Sequence, residues 1–300
     1  MSPSHQEAPF GTVLTAMATA FTPDGAVDPE GTARIASYLV DNGHDGVVVS
    51  GTTGESPTTS VEEDGVILRA VLEAVGDRAH VIAGVGTNST AHSVALAEQA
   101  STLGAAGILL VTPYYNKPSQ AGVLQHFRAV TEAGDLPVML YDVPGRTGLA
   151  IAPETYARVA EDSRVVAVKD AVGDFARGTR IMLETGLAVY SGDDHANLGW
   201  LAHGASGFVS VAGHACGREL ATMAAQWRAG DHAAALATYR SLMPAMDAIM
   251  GVPNYGATTA KGVLQLLGVL DNRRVRGPLL ALDDAEYDAL AAGLRASGLL

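Results

Sequence analysis

Eight short apolar runs, each followed by a stretch of helical periodicity, constrain this chain more than any other feature. The runs fall at 13–20, 46–50, 80–85, 107–112, 137–142, 165–169, 188–191 and 207–212. They are rich in β-branched residues and nearly continuous in their apolar character, as expected of strands buried on both faces. Amphipathic stretches lie between them, at 28–42, 60–75, 90–103, 119–133, 153–160, 174–185 and 194–203. Such β-then-α alternation implies parallel strands with helices outside. Eight units within roughly 220 residues predict an α/β fold of the (β/α)8 TIM-barrel type. An open doubly wound sheet is the alternative, but no G-x-G-x-x-G follows the first strand. Past residue 213 the strand signals stop, and 216–229, 231–250, 256–268 and 283–297 read as helices. Their breaks are Gly230-Asp231, Gly251-Val252-Pro253 and Gly277-Pro278. The first of these helices completes the barrel and the rest form a small C-terminal helical domain. The expected division is a barrel domain at 1–232 and a helical domain at 233–300.

Composition excludes several classes of partner. A net charge of −13 argues against nucleic acid, whose phosphates need concentrated Lys and Arg. No run reaches ~18 apolar residues, so no membrane span is expected. Met1 to Pro9 is polar and lacks the apolar segment of a signal peptide. Cys216 is the single cysteine, which forbids an intramolecular disulfide and suits a reducing cytoplasm. Its setting, Gly213-His214-Ala215-Cys216-Gly217, reads as that of a small buried residue rather than a nucleophile.

A barrel of this kind gathers its chemistry at the C-terminal ends of its strands. Lys169, one of three lysines, ends the apolar run Val165-Val166-Ala167-Val168. Burial lowers a lysine's pKa, and a neutral amine in an apolar pocket is a Schiff-base nucleophile. A snorkelling lysine, or one ion-paired to Asp170, is the competing reading. Tyr141 ends the neighbouring strand and is either a proton shuttle for that amine or a core tyrosine. Gly51-Thr52-Thr53-Gly54 offers backbone N–H groups and two hydroxyls to a small anion, or is an ordinary turn. Tyr114 and Tyr115 are expected to point opposite ways from extended backbone. Arg146 lies in a Pro-Gly loop, either as a carboxylate fork or as a surface charge. Asp193-Asp194 reads as a loop and helix N-cap. His195, His203 and His214 lack compact ligand spacing, so no metal is expected.

Taken together, these segments resemble the dihydrodipicolinate synthase family of class I pyruvate-dependent aldolases, a group that includes N-acetylneuraminate lyase. The likeness rests on six motifs in order. They are Gly51-Thr52-Thr53-Gly54-Glu55-Ser56, Thr112-Pro113-Tyr114-Tyr115-Asn116-Lys117-Pro118 and Tyr141-Asp142-Val143-Pro144-Gly145-Arg146-Thr147-Gly148, followed by Val168-Lys169-Asp170-Ala171, Ser191-Gly192-Asp193-Asp194 and Gly207-Phe208-Val209-Ser210-Val211.

The resemblance implies that Lys169 forms a Schiff base with pyruvate. It further implies that Tyr141 relays protons through Thr52 to Tyr115, the last reaching in from a neighbouring subunit. Thr53 and the backbone of Val209 would bind pyruvate, and Arg146 with Gly192 nearby would bind L-aspartate 4-semialdehyde. The implied protein is a cytoplasmic homotetramer, a dimer of dimers, that needs no cofactor. A lyase acting on a sugar acid such as N-acetylneuraminate, and a non-catalytic barrel, are the alternatives. One departure stands out. Lysine-inhibited relatives carry glutamate at the position of His92 and histidines at those of Val61 and Asp64, although Asn88 and Tyr114 match. Inhibition by L-lysine is therefore expected to be weak or absent.

Overall fold

A computed structural model describes residues 8–300. Residues 1–7, most of the polar stretch in which no leader is read, lie outside the described residues. The strands β1 (Val13–Ala16), β2 (Gly46–Val49), β3 (His80–Gly84), β4 (Gly107–Val111), β5 (Val138–Asp142), β6 (Val165–Asp170), β7 (Ala188–Ser191) and β8 (Gly207–Ser210) pair in chain order. All neighbours are parallel, and β8 closes onto β1 to complete the predicted barrel.

Around it run α1 (Pro29–Asp41), α2 (Val61–Val75), α3 (Thr90–Leu103), α4 (Gln120–Gly134), the single turn α5 (Pro144–Thr147), α6 (Pro153–Val159), α7 (Phe175–Thr185), α8 (Asn197–Ala202) and α9 (Gly213–Arg228). Three more helices follow: α10 (His232–Met250), α11 (Ala257–Leu266) and α12 (Asp284–Ala296). Several helices start where a short polar side chain accepts an otherwise orphaned N–H. Asp28, Ser60, Ser119 and Asp174 do this for α1, α2, α4 and α7. No helix among the described residues is long and apolar enough to cross a membrane.

The continuous apolar runs have a direct explanation. Alternate strand residues feed two different cores. Leu14, Val48, Ile82, Leu109, Met139 and Ala167 fill the barrel interior. Their neighbours Val47, Val49, Ile108, Leu140 and Val168 pack outward against Ile35, Ile67, Leu96 and Phe127 of the helices. A third apolar cluster joins Val13 and Phe208 of the barrel to Leu220 of α9, Met246 and Ile249 of α10 and Leu290 of α12.

Three of the boundaries that differ from the sequence reading have a local cause. β1 ends at Ala16 rather than residue 20, and the buried chain beyond it turns away so that Phe21 bridges Val27. β8 ends at Ser210, because the N–H groups of Val211 and Ala212 both donate to Asp194 Oδ2 at 2.8 Å. α9 starts at Gly213 rather than 216. Its first turn is tightened by bonds from His214 N to Val211 O and from Ala215 N to Ala212 O, and Cys216 breaks the helical angles (φ −130, ψ 37).

Candidate active site

Alternation along β6 decides where Lys169 points. Ala167 and Lys169 face the interior, so Val168 and Asp170 face the helices. Tyr141 and Lys169 are register partners on β5 and β6, and the lysine Nζ lies 4.4 Å from the Tyr141 ring centroid. Lys169 is only 5% exposed. Burial lowers its pKa to about 8; the negative charge of Asp194 opposes the shift, and the Arg146 guanidinium adds to it. The pairing of Lys169 with Asp170 is not found. Asp170 and Asp142 both lie behind the strands and share Arg177, whose guanidinium donates to them at 3.2 and 2.6 Å. Burial pushes the Tyr141 phenol up to about 12, with Arg146 opposing and Tyr255 adding to the rise. The phenol is therefore a neutral donor at physiological pH.

Lys169 opens into a cleft of about 490 Å³, lined also by Thr52, Thr53, Tyr141, Arg146 and Gly192. Gly192 is there because little else fits. A Cβ at this position would lie 3.0 Å from Asp170 O and 3.2 Å from Lys169 Cε. Thr53 is buried and Thr52 exposed, on a loop bounded by Ser50 and Glu55, both with positive φ (50 and 61). Arg146 does not sit in an irregular loop as expected. Pro144 presets the backbone for the one-turn helix α5, and Arg146 N donates to Val143 O at 2.9 Å. The turn brings the Arg146 guanidinium to 5.4 Å from the Tyr255 ring centroid. Val209 belongs to the interior layer on β8, and Val211 is the residue from that strand's end that lines the cleft.

A second cavity of about 200 Å³ adjoins the cleft. It shares Thr52, Tyr141 and Arg146 with it and extends to Ser50, Ser56 and Tyr114. Tyr115 lines neither cavity and is 88% exposed. Its separation from Tyr114 does not come from extended backbone, since its φ is 71. A left-handed kink turns it outward.

Other sequence candidates settle into structural roles. Asp193 caps the short turn Asp194–Ala196, and Asp194 is buried, accepting from Ser210 Oγ as well as from the β8 end. Cys216 is buried and donates to Ala212 O at 3.2 Å; burial raises its pKa well above the ordinary thiol range. His195 bonds Asp247, and His203 stacks on Phe175. His214 accepts from Ala18 N. The sequence reading missed Tyr255, Gly256 and Leu279, which line the cleft from the C-terminal region. The only signal was the break Gly251-Val252-Pro253, taken as punctuation between helices.

Residues 9–297 match the Dihydrodipicolinate synthetase family. The chain belongs to that family. A 4-hydroxy-tetrahydrodipicolinate synthase from Kineococcus radiotolerans is 56% identical over 291 residues, covering 97% of this chain and 94% of that protein. One from Acidothermus cellulolyticus is 52% identical, covering 99% and 96%. Among solved structures, a dihydrodipicolinate synthase from Bacillus anthracis superposes with a TM-score of 0.91 at 43% identity, covering 95% of this chain and 98% of that one. The enzyme from Cyanidioschyzon merolae, solved with lysine bound, gives a TM-score of 0.93 at 38% identity, covering 97% and 99%. These matches span both the barrel and the C-terminal helices of this chain.

Proposed function

We propose that this chain acts as a 4-hydroxy-tetrahydrodipicolinate synthase, condensing pyruvate with L-aspartate 4-semialdehyde in lysine and diaminopimelate biosynthesis. The observation that carries the reading is the desolvated amine of Lys169 in a cleft it shares with Arg146, against the Tyr141 ring. The neutral amine adds to the keto carbon of pyruvate, and loss of water leaves an iminium. Tyr141 moves protons at these steps, linked through Thr52 to Tyr115 of a neighbouring subunit. The outward kink at Tyr115 supports that role in a homotetramer built as a dimer of dimers. Thr53, the loop N–H groups and the backbone of Val209 hold the pyruvate carboxylate. The iminium draws electrons from the methyl group, which loses a proton to give an enamine. The enamine carbon then attacks the aldehyde and forms the C–C bond. The substrate's own amine attacks the imine carbon and releases Lys169. Arg146 binds the semialdehyde carboxylate by its planar fork, with Gly192 beside it.

On this reading the barrel of residues 1–232 carries the chemistry, the helices of 233–300 cover it, and the protein works in the cytoplasm. Inhibition by L-lysine is weak or absent. Support comes from His92, which offers no carboxylate to an ammonium, and from Asp64, which is buried and already accepts from Thr59 Oγ1 at 2.8 Å. A strong drop in rate at millimolar lysine would overturn this part.

The decisive test is borohydride reduction in the presence of pyruvate, with the adduct located by mass spectrometry. A mass gain on Lys169 is expected, and its absence sinks the Schiff-base mechanism. A lyase for a sugar acid is separated by assaying semialdehyde against N-acetylneuraminate. Arg146→Ala should lose turnover with semialdehyde yet still be trapped by pyruvate above about pH 8; loss of both makes Arg146 structural.

A further inference from the structure

Glu55 ends the Gly51-Thr52-Thr53-Gly54 segment, and the mechanism above gives it no work. It is nevertheless 2% exposed and held in the left-handed region at φ 61. A buried carboxylate in strained backbone needs compensation. The compensation comes from the far end of the chain. Lys261 Nζ, 1% exposed, donates to Glu55 Oε1 at 2.5 Å and to Arg274 O at 2.6 Å. It sits 4.0 Å from the Phe21 ring centroid. The second carboxylate oxygen accepts from Arg276 N at 2.8 Å. The Arg276 side chain then donates to Thr58 O at 2.8 Å and pairs with Glu63 at 2.6 Å. On the other side of the loop, Thr19 Oγ1 donates to Gly54 O at 2.8 Å.

Lys261 stands one turn along α11 from Ala257, so the two share a face. Ala257 lines the cleft. That face of α11 therefore touches the cleft at one end and grips Glu55 at the other. A hydrophobic pair would fill the same space, but it would not fix the carboxylate's two oxygens against two separate donors.

We infer that Glu55 and Lys261 are positioning residues, a buried clamp through which the C-terminal helices set the Thr52–Thr53 loop where it receives the pyruvate carboxylate. The inference rests on the proposed function, because it takes Thr53 as a carboxylate ligand. Its signature is selective: pyruvate binding depends on the clamp, and semialdehyde binding at Arg146 on α5 does not.

The test compares wild type with Glu55→Gln/Lys261→Met, which removes the clamp without leaving a lone buried charge, and with Glu55→Asp, which keeps the charge but shortens the reach. Pyruvate saturation is read from borohydride trapping at Lys169, and the KM of each substrate from turnover. Both variants should need about tenfold more pyruvate for half-saturation, the scale of one lost charge-assisted bond. The final extent of trapping at saturating pyruvate, which a slower proton relay through Thr52 delays but does not cap, and the semialdehyde KM should stay within about twofold, as expected when uniform binding of one substrate is lost. Unchanged pyruvate saturation in whichever variant folds overturns the inference, and so does a parallel rise for both substrates. If wild type itself is not trapped at Lys169, the proposed function fails first, and that outcome is distinct from either of these.

Discussion

The sharpest consequence of the site is the pH dependence of its first step. Lys169 loses its proton at about 8 instead of 10.5. At pH 7 roughly a tenth of the amine is then neutral, against about 0.03% for an unperturbed lysine, a gain of about 300-fold or ~3 kcal/mol. In the proposed mechanism only the neutral amine attacks pyruvate. The initial rate of borohydride trapping at low pyruvate should therefore climb about tenfold per pH unit below pH 8 and flatten above it. The Tyr141 phenol, pushed up to about 12, does not titrate within this window. The Arg146 charge helps to expel the lysine's proton. Removing it in Arg146→Ala should raise the lysine's pKa and move the whole profile to higher pH. A wild-type rate still rising tenfold per unit at about pH 10 would show an unperturbed lysine and refute the desolvation argument. A profile that stays put in Arg146→Ala would refute the electrostatic coupling alone.

Further outcomes follow from the same contacts. Lys169→Met should stabilise the fold by up to about 3 kcal/mol near pH 7, because a buried group with a depressed pKa makes the folded state bind fewer protons than the unfolded one. The advantage is complete below the folded pKa of about 8 and fades toward 10.5, so urea titrations of wild type and variant should differ at neutral pH and converge at alkaline pH. Gly192→Ala places a methyl 3.2 Å from Lys169 Cε and 3.0 Å from a backbone oxygen. Trapping should fall by about tenfold or more with a stability loss of about 1–3 kcal/mol, and a variant trapped as fast as wild type would show the contact to be slack. Arg177→Met strands two buried carboxylates, Asp142 and Asp170, and should cost about 3–5 kcal/mol at pH 7. Burial already raises both carboxyl pKa values, and Arg177 opposes the rise, so its loss raises them further. The cost should shrink as pH falls and the carboxyls protonate; a denaturation midpoint deficit constant from pH 7 to about 5 would contradict the assignment.

The barrel was legible because burial on both faces leaves Val, Ile and Leu at nearly every strand position, for example Val47-Val48-Val49. The strand ends were less so. Met17 to Phe21 is as buried as β1 itself, so hydrophobicity could not say where pairing stops. Val211-Ala212 continues the apolar run of β8, yet its N–H groups leave the ladder for the distant side chain of Asp194. That Lys169, Tyr141 and Thr53 line one cleft was legible because each lies at or just past a strand end, where the barrel fixes direction. Arg146 and Tyr115 lie in local backbone other than the sequence suggests. A one-turn helix and a single left-handed residue are too short to leave a periodic signal. The Glu55–Lys261 pair, 206 residues apart, leaves no local trace at all.

The strand pair at the heart of the site shows how two jobs are separated by one residue. Tyr141-Asp142 and Lys169-Asp170 run side by side in register on β5 and β6. Alternation sends the phenol and the amine into the barrel and both carboxylates out behind it. There Arg177 bridges the two carboxylates, Tyr156 donates to Asp142 at 3.1 Å, and Asp170 accepts the N–H groups of Val172 and Gly173. The backs of the two reactive positions are thus tied by charge in a place no substrate reaches. The same alternation rules out a Lys169–Asp170 ion pair, so the amine escapes the partner that would hold its proton. Had β6 slipped by one residue against β5, Lys169 would point behind the strands on the side of Asp142, where it would pair and stay charged, and Asp170 would face the cleft. The free amine depends on this register as much as on burial, and Arg177, Asp142 and Asp170 are what hold the register at its open end.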